Sequence, residues 1–142
     1  MQSTLTRVSL LVLALAGLLT GGWAVASPRG FYDDFPGFGR HWVSADGPYN
    51  EHLVRDVGAF FLALGLVAGF AVWLGSIAAA RLAGLGWLVF SVPHALYHFT
   101  HLGVYDTLDQ LLNVVSLGLG LVLATQILLW PGRASDPADR SL

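Results

Sequence analysis

The chain has 142 residues, of which 55% are hydrophobic and only 11% are charged, and its formal net charge at pH 7 is −2. Soluble proteins carry about 25% charged residues, so this composition, with its positive mean hydropathy, indicates an integral membrane protein. Seven Lys and Arg residues form no basic patch for nucleic acid, and the lack of cysteine excludes disulfides, thiolate zinc sites and iron–sulfur clusters.

Four apolar blocks are each long enough to cross a bilayer, which takes about 20 helical residues. They cover roughly residues 8–26, 53–76, 82–102 and 108–130. Short turns separate the last three blocks, so neighbouring helices must run antiparallel. The sequence therefore predicts an all-α fold, with an up-and-down four-helix membrane bundle over residues 1–130. Residues 131–142 are predicted to form a disordered tail.

The first block has two interpretations. Arg7, the apolar run and Ala24-Val25-Ala26 before Ser27 are also typical of a cleaved secretory signal. The apolar run of about 19 residues is long for a signal core, and Gly21-Gly22-Trp23 suits an interfacial anchor, so we favour a retained helix. Cleavage would leave three helices with the same topology.

The loop over residues 27–52, about 25 residues long, is predicted to be external. Arginines near the helix ends number four on one side and three on the other. The positive-inside rule then places the C-terminus in the cytoplasm. We expect the membrane to be a bacterial plasma membrane. Aromatic residues alternate with Gly and Pro along the loop, which is typical of an ordered cap at the membrane interface. Such a cap would cover one end of the bundle, where His41 and Asp46 could join a site.

The most informative segment, within the third block, is Pro93-His94-Ala95-Leu96-Tyr97-His98-Phe99-Thr100-His101. Its three histidines follow at i, i+4 and i+7, so on a helix they form one stripe. At 1.5 Å per residue, His94 lies about 12 Å inside the helix end. Ionisable side chains at that depth usually face the bundle interior and pair with one another.

Polar residues of the second and fourth helices are predicted to meet this stripe, because both helices begin at the same end of the bundle. Imidazoles and carboxylates bind zinc, iron or manganese, and histidines at i and i+4 can share one ion. The predicted ligands of a divalent metal are His94, His98, His52, Asp56 and Asp109. The secondary candidates are His101, Tyr97, Glu51, Asp106, Asn113 and Arg55. A small polar ligand is the other occupant that this site predicts.

Three alternatives stay open at this stage. A haem could take His52 with His94 or His98 as axial ligands. A proton relay could use the histidines and nearby carboxylates. The same residues could also form a hydrogen-bonded network that only fixes helix packing. No H-E-x-x-H, G-x-S-x-G or P-loop motif is present, so the sequence leaves open whether the protein is an enzyme.

Small residues indicate how the helices approach one another. Gly58, Gly65 and Gly69 fall on one face of the second helix, the last two in G-x-x-x-G spacing. We favour packing within the bundle. The alternatives are a homo-oligomer or a place in a larger membrane complex.

The stretch Asn50-Glu51-His52-Leu53-Val54-Arg55-Asp56-Val57-Gly58-Ala59 opens the second helix and leads into an apolar Leu-Ala-Leu-Gly run. Together with the four-helix outline, it resembles the small bacterial DoxX-like membrane proteins over most of the chain. This resemblance implies an accessory role in a quinone-linked redox complex. We keep that role as the alternative to a metal-binding or ligand-binding function. The histidine stripe is not part of the resemblance.

Overall fold

The structure, a computed structural model, describes residues 1–132. Its elements in chain order are α1 (Thr4–Ala26), α2 (Pro28–Asp34), β1 (Pro36–Gly37), β2 (Arg40–His41), α3 (Trp42–Asp46), α4 (Glu51–Leu74), α5 (Ile77–Thr100), a short 3-10 helix (Leu102–Val104) and α6 (Thr107–Leu129). Helices α1, α4, α5 and α6 are long and apolar enough to cross a membrane. The prediction of an all-α chain with four candidate spans is therefore confirmed.

Side-chain caps set the helix starts. Each of the four long helices begins after a residue whose side chain accepts a hydrogen bond from a backbone N–H three residues later; these are Ser3, Asn50, Ser76 and Asp106. The prediction of 82–102 for the third span was wrong at its start, because α5 begins at Ile77. Gly75 ends α4 in a left-handed conformation and Ser76 caps α5 at once. Arg81 therefore lies within α5.

The predicted tail begins inside the described part of the chain. The backbone N–H of Ser3 donates to the carbonyl oxygen of Pro131 at 3.1 Å, and Gln2 forms a β-bridge with Gly132. These two tail residues are therefore paired with the N-terminus. Residues 133–142, the rest of the predicted tail, lie outside the described residues.

The long helices form a ring in chain order, with α6 packing back on α1. The pairs α1/α4 and α5/α6 pack much more extensively than the seams α4/α5 and α1/α6. The main buried cluster comprises Leu10, Leu13, Ala14, Ala68, Ala71, Ala80, Ala83, Trp87, Ala124 and Ile127. A second, smaller cluster comprises Ala24, Phe31 and Val54, next to the 27–50 segment.

Glycines bring α1 and α4 into backbone contact. A Cβ on Gly21 would lie 2.5 Å from the carbonyl oxygen of Gly58, and one on Gly65 would lie 3.0 Å from the carbonyl carbon of Gly17. The prediction that Gly58 and Gly65 pack within the bundle is confirmed, whereas Gly69 makes no comparably close approach. This contact fixes α1 against α4 and with it the outline of the bundle.

Neutral polar residues join α1 to α6 at the end remote from the 27–50 segment. Ser9 Oγ donates to Gln126 Oε1 at 2.7 Å, and Gln126 Nε2 donates to Thr6 Oγ1 at 3.3 Å. Thr6 Oγ1 in turn donates to the carbonyl oxygen of Trp130 at 3.0 Å. Thr6 and Ser9 are both buried. Hydrogen bonds between helices are favoured in lipid, where water offers no competing partner.

We expect Gly21→Ala to destabilise the bundle by about 2 kcal/mol, because the added Cβ meets α4 backbone that cannot move independently. Gly22→Ala is the matched control, since a Cβ there meets no atom within 4 Å. It should be neutral or slightly stabilising, because alanine favours helix. The measurement is denaturant unfolding in detergent micelles followed by helical circular dichroism. Equal stability of the two variants would contradict the packing.

Candidate functional site

The segment 27–50, which we call the cap, contains several short regular elements. It comprises α2, an antiparallel β1/β2 pair and α3. Its aromatic residues pack on one another and on α1, with 4.7 Å between the ring centroids of Phe31 and Phe35 and 5.8 Å between those of Phe31 and Trp23. Tyr32 Oη donates to the carbonyl oxygen of Gly47 at 2.7 Å. The cap is thus a folded unit.

A polar latch holds the cap on α6. Asp109 Oδ1 accepts hydrogen bonds from the Arg40 guanidinium and from Trp42 Nε1, the latter at 2.8 Å. The Arg40 and Asp109 side chains are only 24% and 13% exposed, so water screens this ion pair little. Tyr105 Oη donates to the carbonyl oxygen of Trp42 at 3.1 Å. Burial, aided by the Asp46 charge, raises the pKa of Tyr105 to about 12, which keeps it a neutral donor.

A cavity of about 540 Å³ lies beneath the cap, within the range of about 300–1,000 Å³ usual for ligand pockets. All four long helices contribute to its wall, and the cap residues Phe31, Trp42, Val43 and Asp46 line it from above. Leu13 and Trp87 of the main core line it from below. The cavity therefore separates the two buried clusters of the bundle.

Several polar side chains line this otherwise apolar cavity: Thr20, Asp46, Ser91, His94, Tyr97, His98, Asn113 and Ser116. Over residues 1–132, three buried side-chain atoms lack a hydrogen-bond partner, and two of them, His98 Nδ1 and Asn113 Oδ1, belong to cavity residues. The Asn113 residue is only 2% exposed. Leaving a buried acceptor unpaired costs about 1–3 kcal/mol. These two atoms are therefore the groups of the cavity that most need a partner.

Aromatic rings hold His94 in the cavity wall. Its ring stacks on Phe90 with centroids 5.1 Å apart, and its edge contacts include Phe61 at 6.2 Å and His98 at 4.8 Å. Phe61 also contacts Trp87 at 6.1 Å. A ligand beside His94 would thus meet ring faces and edges, which favours a planar apolar group.

The histidine stripe divides into an inner and an outer part. His94 and His98 line the cavity. His101 is exposed instead, with Nδ1 2.8 Å from the carbonyl oxygen of Tyr97 and its ring stacked on the Tyr97 ring at 4.2 Å.

Tyr97 Oη donates to Asp46 Oδ1 over a long distance of 3.5 Å. Asp46 therefore joins the site from the cap, whereas His41 is exposed and contacts the carbonyl oxygen of Asp33.

The polar side chains in the first turns of α4 do not line the cavity. His52 and Asp56 pair with each other at 3.3 Å, with side chains 87% and 58% exposed, and neither lines the cavity. Arg55 pairs with Glu51 at 2.9 Å. Spacing of i, i+4 on one helix satisfies these groups locally. His52 thus lies outside the cavity that His94 and His98 line, and the haem alternative stays a prediction.

The predicted five-residue metal set is likewise not assembled. Asp109 binds Arg40 and Trp42 of the cap, and Asp106 accepts the backbone N–H of Asp109 at the start of α6. Within the described residues, no group of three or more His, Cys, Asp or Glu side chains is placed to hold a metal ion. In the packing-network alternative, Asp56 pairs with His52 and Asp109 with Arg40 and Trp42, and the alternative itself stays a prediction.

Comparisons with protein-family models, with curated proteins and with solved structures found no match to this chain. The resemblance to DoxX-like proteins accordingly stays a prediction. The geometry of the cavity and cap is the basis for the function argued below.

We expect Asp109→Asn to loosen the cap, because the Arg40 guanidinium loses its charged partner. Amide hydrogen exchange of residues 37–46 should accelerate roughly tenfold, equal to about 1.4 kcal/mol of local stability. Asp33→Asn is the control, since its ion pair with Arg29 is exposed at 66% and 41% and contributes little. Unchanged exchange in Asp109→Asn would show that this latch does not hold the cap.

Proposed function

We propose that this multi-pass membrane protein binds a small molecule in the cavity beneath the cap, with the cap on the outer face of the plasma membrane. One observation carries the proposal. Asn113, 2% exposed, lines a cavity walled by all four long helices and presents a side-chain oxygen without a hydrogen-bond partner.

Outside the cavity, one buried side-chain atom of residues 1–132 lacks a partner, Gln2 Oε1, although Nε2 of the same side chain donates to the carbonyl oxygen of Ala71 at 2.7 Å. Other buried polar side chains are paired. Ser9 and Thr6 bind Gln126, and Trp87 Nε1 donates to the carbonyl oxygen of Leu64 at 3.2 Å. A hydrogen-bond donor on a ligand would offset the cost of the unpaired Asn113 oxygen. His98 Nδ1 could accept or donate a second bond, depending on its tautomer.

The lining residues also define the chemistry of the ligand. Phe61, Trp87, Phe90 and His94 favour an aromatic ring, while Asp46 at the roof disfavours an anion. A neutral ring that carries a hydroxyl group meets both conditions and supplies the donor. A metal ion is not proposed, because His52, Asp56 and Asp109 are engaged elsewhere.

A ring-brominated cresol is a suitable probe, because bromine quenches tryptophan on contact and Trp42 and Trp87 line the cavity. The background variant replaces the exposed Trp73 and Trp130 by Phe. We expect saturable quenching in this background and in Gly118→Leu, and only linear quenching from membrane partitioning in Gly120→Leu. Gly120 lines the cavity, whereas a Cβ on Gly118 meets open space.

The paired glycines make the result decisive, because both substitutions add the same side chain to α6 two residues apart. Absence of saturable quenching in the background protein would overturn the proposal. Equal saturable quenching in Gly118→Leu and Gly120→Leu would overturn it as well, since a filled cavity could not then be the binding site.

Asn113→Leu separates a ligand role from a structural one. Removal of an unpaired buried amide should leave the free energy of unfolding unchanged or raise it, because no hydrogen bond of its side chain is lost. The same change should weaken cresol binding roughly fivefold, the worth of one hydrogen bond. Denaturant unfolding and the quenching titration measure the two effects. Lower stability with unaltered binding would assign Asn113 to helix packing.

A further inference from the structure

A second recess lies outside the bundle, along the seam between α4 and α5. It is an open groove of about 690 Å³ whose lining residues are Phe60, Leu64, Leu82, Leu85, Gly86, Val89, Phe90, Pro93 and His94. Every lining residue except His94 is apolar or glycine. Phe60, Leu82 and Val89 are each more than 60% exposed, so the groove faces the lipid in a spanning bundle. It can hold a hydrocarbon chain but offers almost nothing to a polar molecule.

The groove and the cavity are neighbours. Phe90 and His94 line both of them. Phe61, on the cavity side, contacts Phe90 at 4.9 Å. The partition between the two recesses therefore includes the rings of Phe90 and His94, in a seam that packs less extensively than α1/α4. Because ring rotation is a local motion, turning these two rings would widen the connection between the recesses.

The cap lies over the side of the cavity remote from the groove. Trp42, Val43 and Asp46 of the cap line the top of the cavity, and Asp109 holds this part of the cap through Arg40 and Trp42. A molecule that entered between this part of the cap and α6 would have to break these hydrogen bonds. A molecule dissolved in the membrane meets the groove and its ring partition directly.

We propose that the ligand is a membrane-dissolved amphiphile, with a neutral hydroxyl-bearing ring in the cavity and a flexible hydrocarbon chain lying in the α4/α5 groove. This inference rests on the proposed function and adds the class of ligand and its route. The inference rests on one juxtaposition. The apolar groove lies next to the cavity that contains the unpaired Asn113 oxygen, and the rings of Phe90 and His94 line both. A hydrocarbon chain in the groove exchanges contacts with lipid for contacts with protein. Its contribution to the binding free energy therefore comes from closer van der Waals packing.

Two probes with the same ring test whether a hydrocarbon chain binds in the groove. A ring-brominated cresol has the head alone, and a ring-brominated dodecylphenol adds a chain. Both are titrated in nanodiscs by tryptophan quenching, in the background that lacks Trp73 and Trp130, with affinities referred to their concentration in the membrane. Val89→Phe narrows the groove. Val92→Phe is its control, because Val92 is 50% exposed on the same helix and lines neither recess.

We expect Val89→Phe to weaken dodecylphenol binding roughly fivefold through lost chain contacts and to leave cresol binding unchanged. Val92→Phe should alter neither. Saturable cresol binding with equal dodecylphenol affinity in both variants would overturn the groove inference, because only bulk lipid would then occupy the groove, while the cavity proposal would stand. Failure of cresol itself to bind would overturn the cavity proposal.

Discussion

A polar atom buried in an apolar bundle destabilises the protein unless it has a hydrogen-bond partner, and this constraint accounts for much of the layout. At the far end, Ser9 and Gln126 satisfy each other across the α1/α6 seam. At the cap end, Asp109 accepts two hydrogen bonds from the cap. Asn113, between these two ends, is buried with its oxygen unpaired. Within residues 1–132, two of the three buried side-chain atoms without a partner thus belong to the cavity, and the third, Gln2 Oε1, lies just before α1.

The cavity follows from unequal packing around the ring of helices. Gly21 and Gly58 let the backbones of α1 and α4 touch, whereas Phe61, Trp87 and Phe90 place rings between α4 and α5. The helices therefore pack closely within the pairs α1/α4 and α5/α6 and less closely between the pairs. The cavity lies between the four helices near the cap, and the groove lies along the less closely packed α4/α5 seam.

Local sequence rules predicted the parts of this structure that depend on local interactions. Hydropathy found four spans, and the i, i+4 spacing placed His94 and His98 together. The same spacing pairs His52 with Asp56, so groups expected to cross between helices instead satisfy each other on α4. The latch joins residues 69 positions apart, which no periodicity encodes. That the Asn113 oxygen lacks a partner could not be predicted either, since it depends on every neighbour of that atom in the folded bundle.

The two boundaries of the cavity differ in the contacts that a ligand would break on entering. The cap boundary contains polar contacts, and the groove boundary contains ring contacts. Opening toward the cap separates Arg40 from Asp109, a charged pair shielded from water, and also removes the Trp42 hydrogen bond. Opening toward the α4/α5 groove turns the rings of Phe90 and His94, which lose dispersion contacts but no hydrogen bond among those described. Rotamer changes of this kind need no charge separation. Opening toward the lipid therefore breaks fewer polar contacts than opening toward the cap, which supports the proposed ligand, whose chain would stay in the membrane while its ring reaches Asn113.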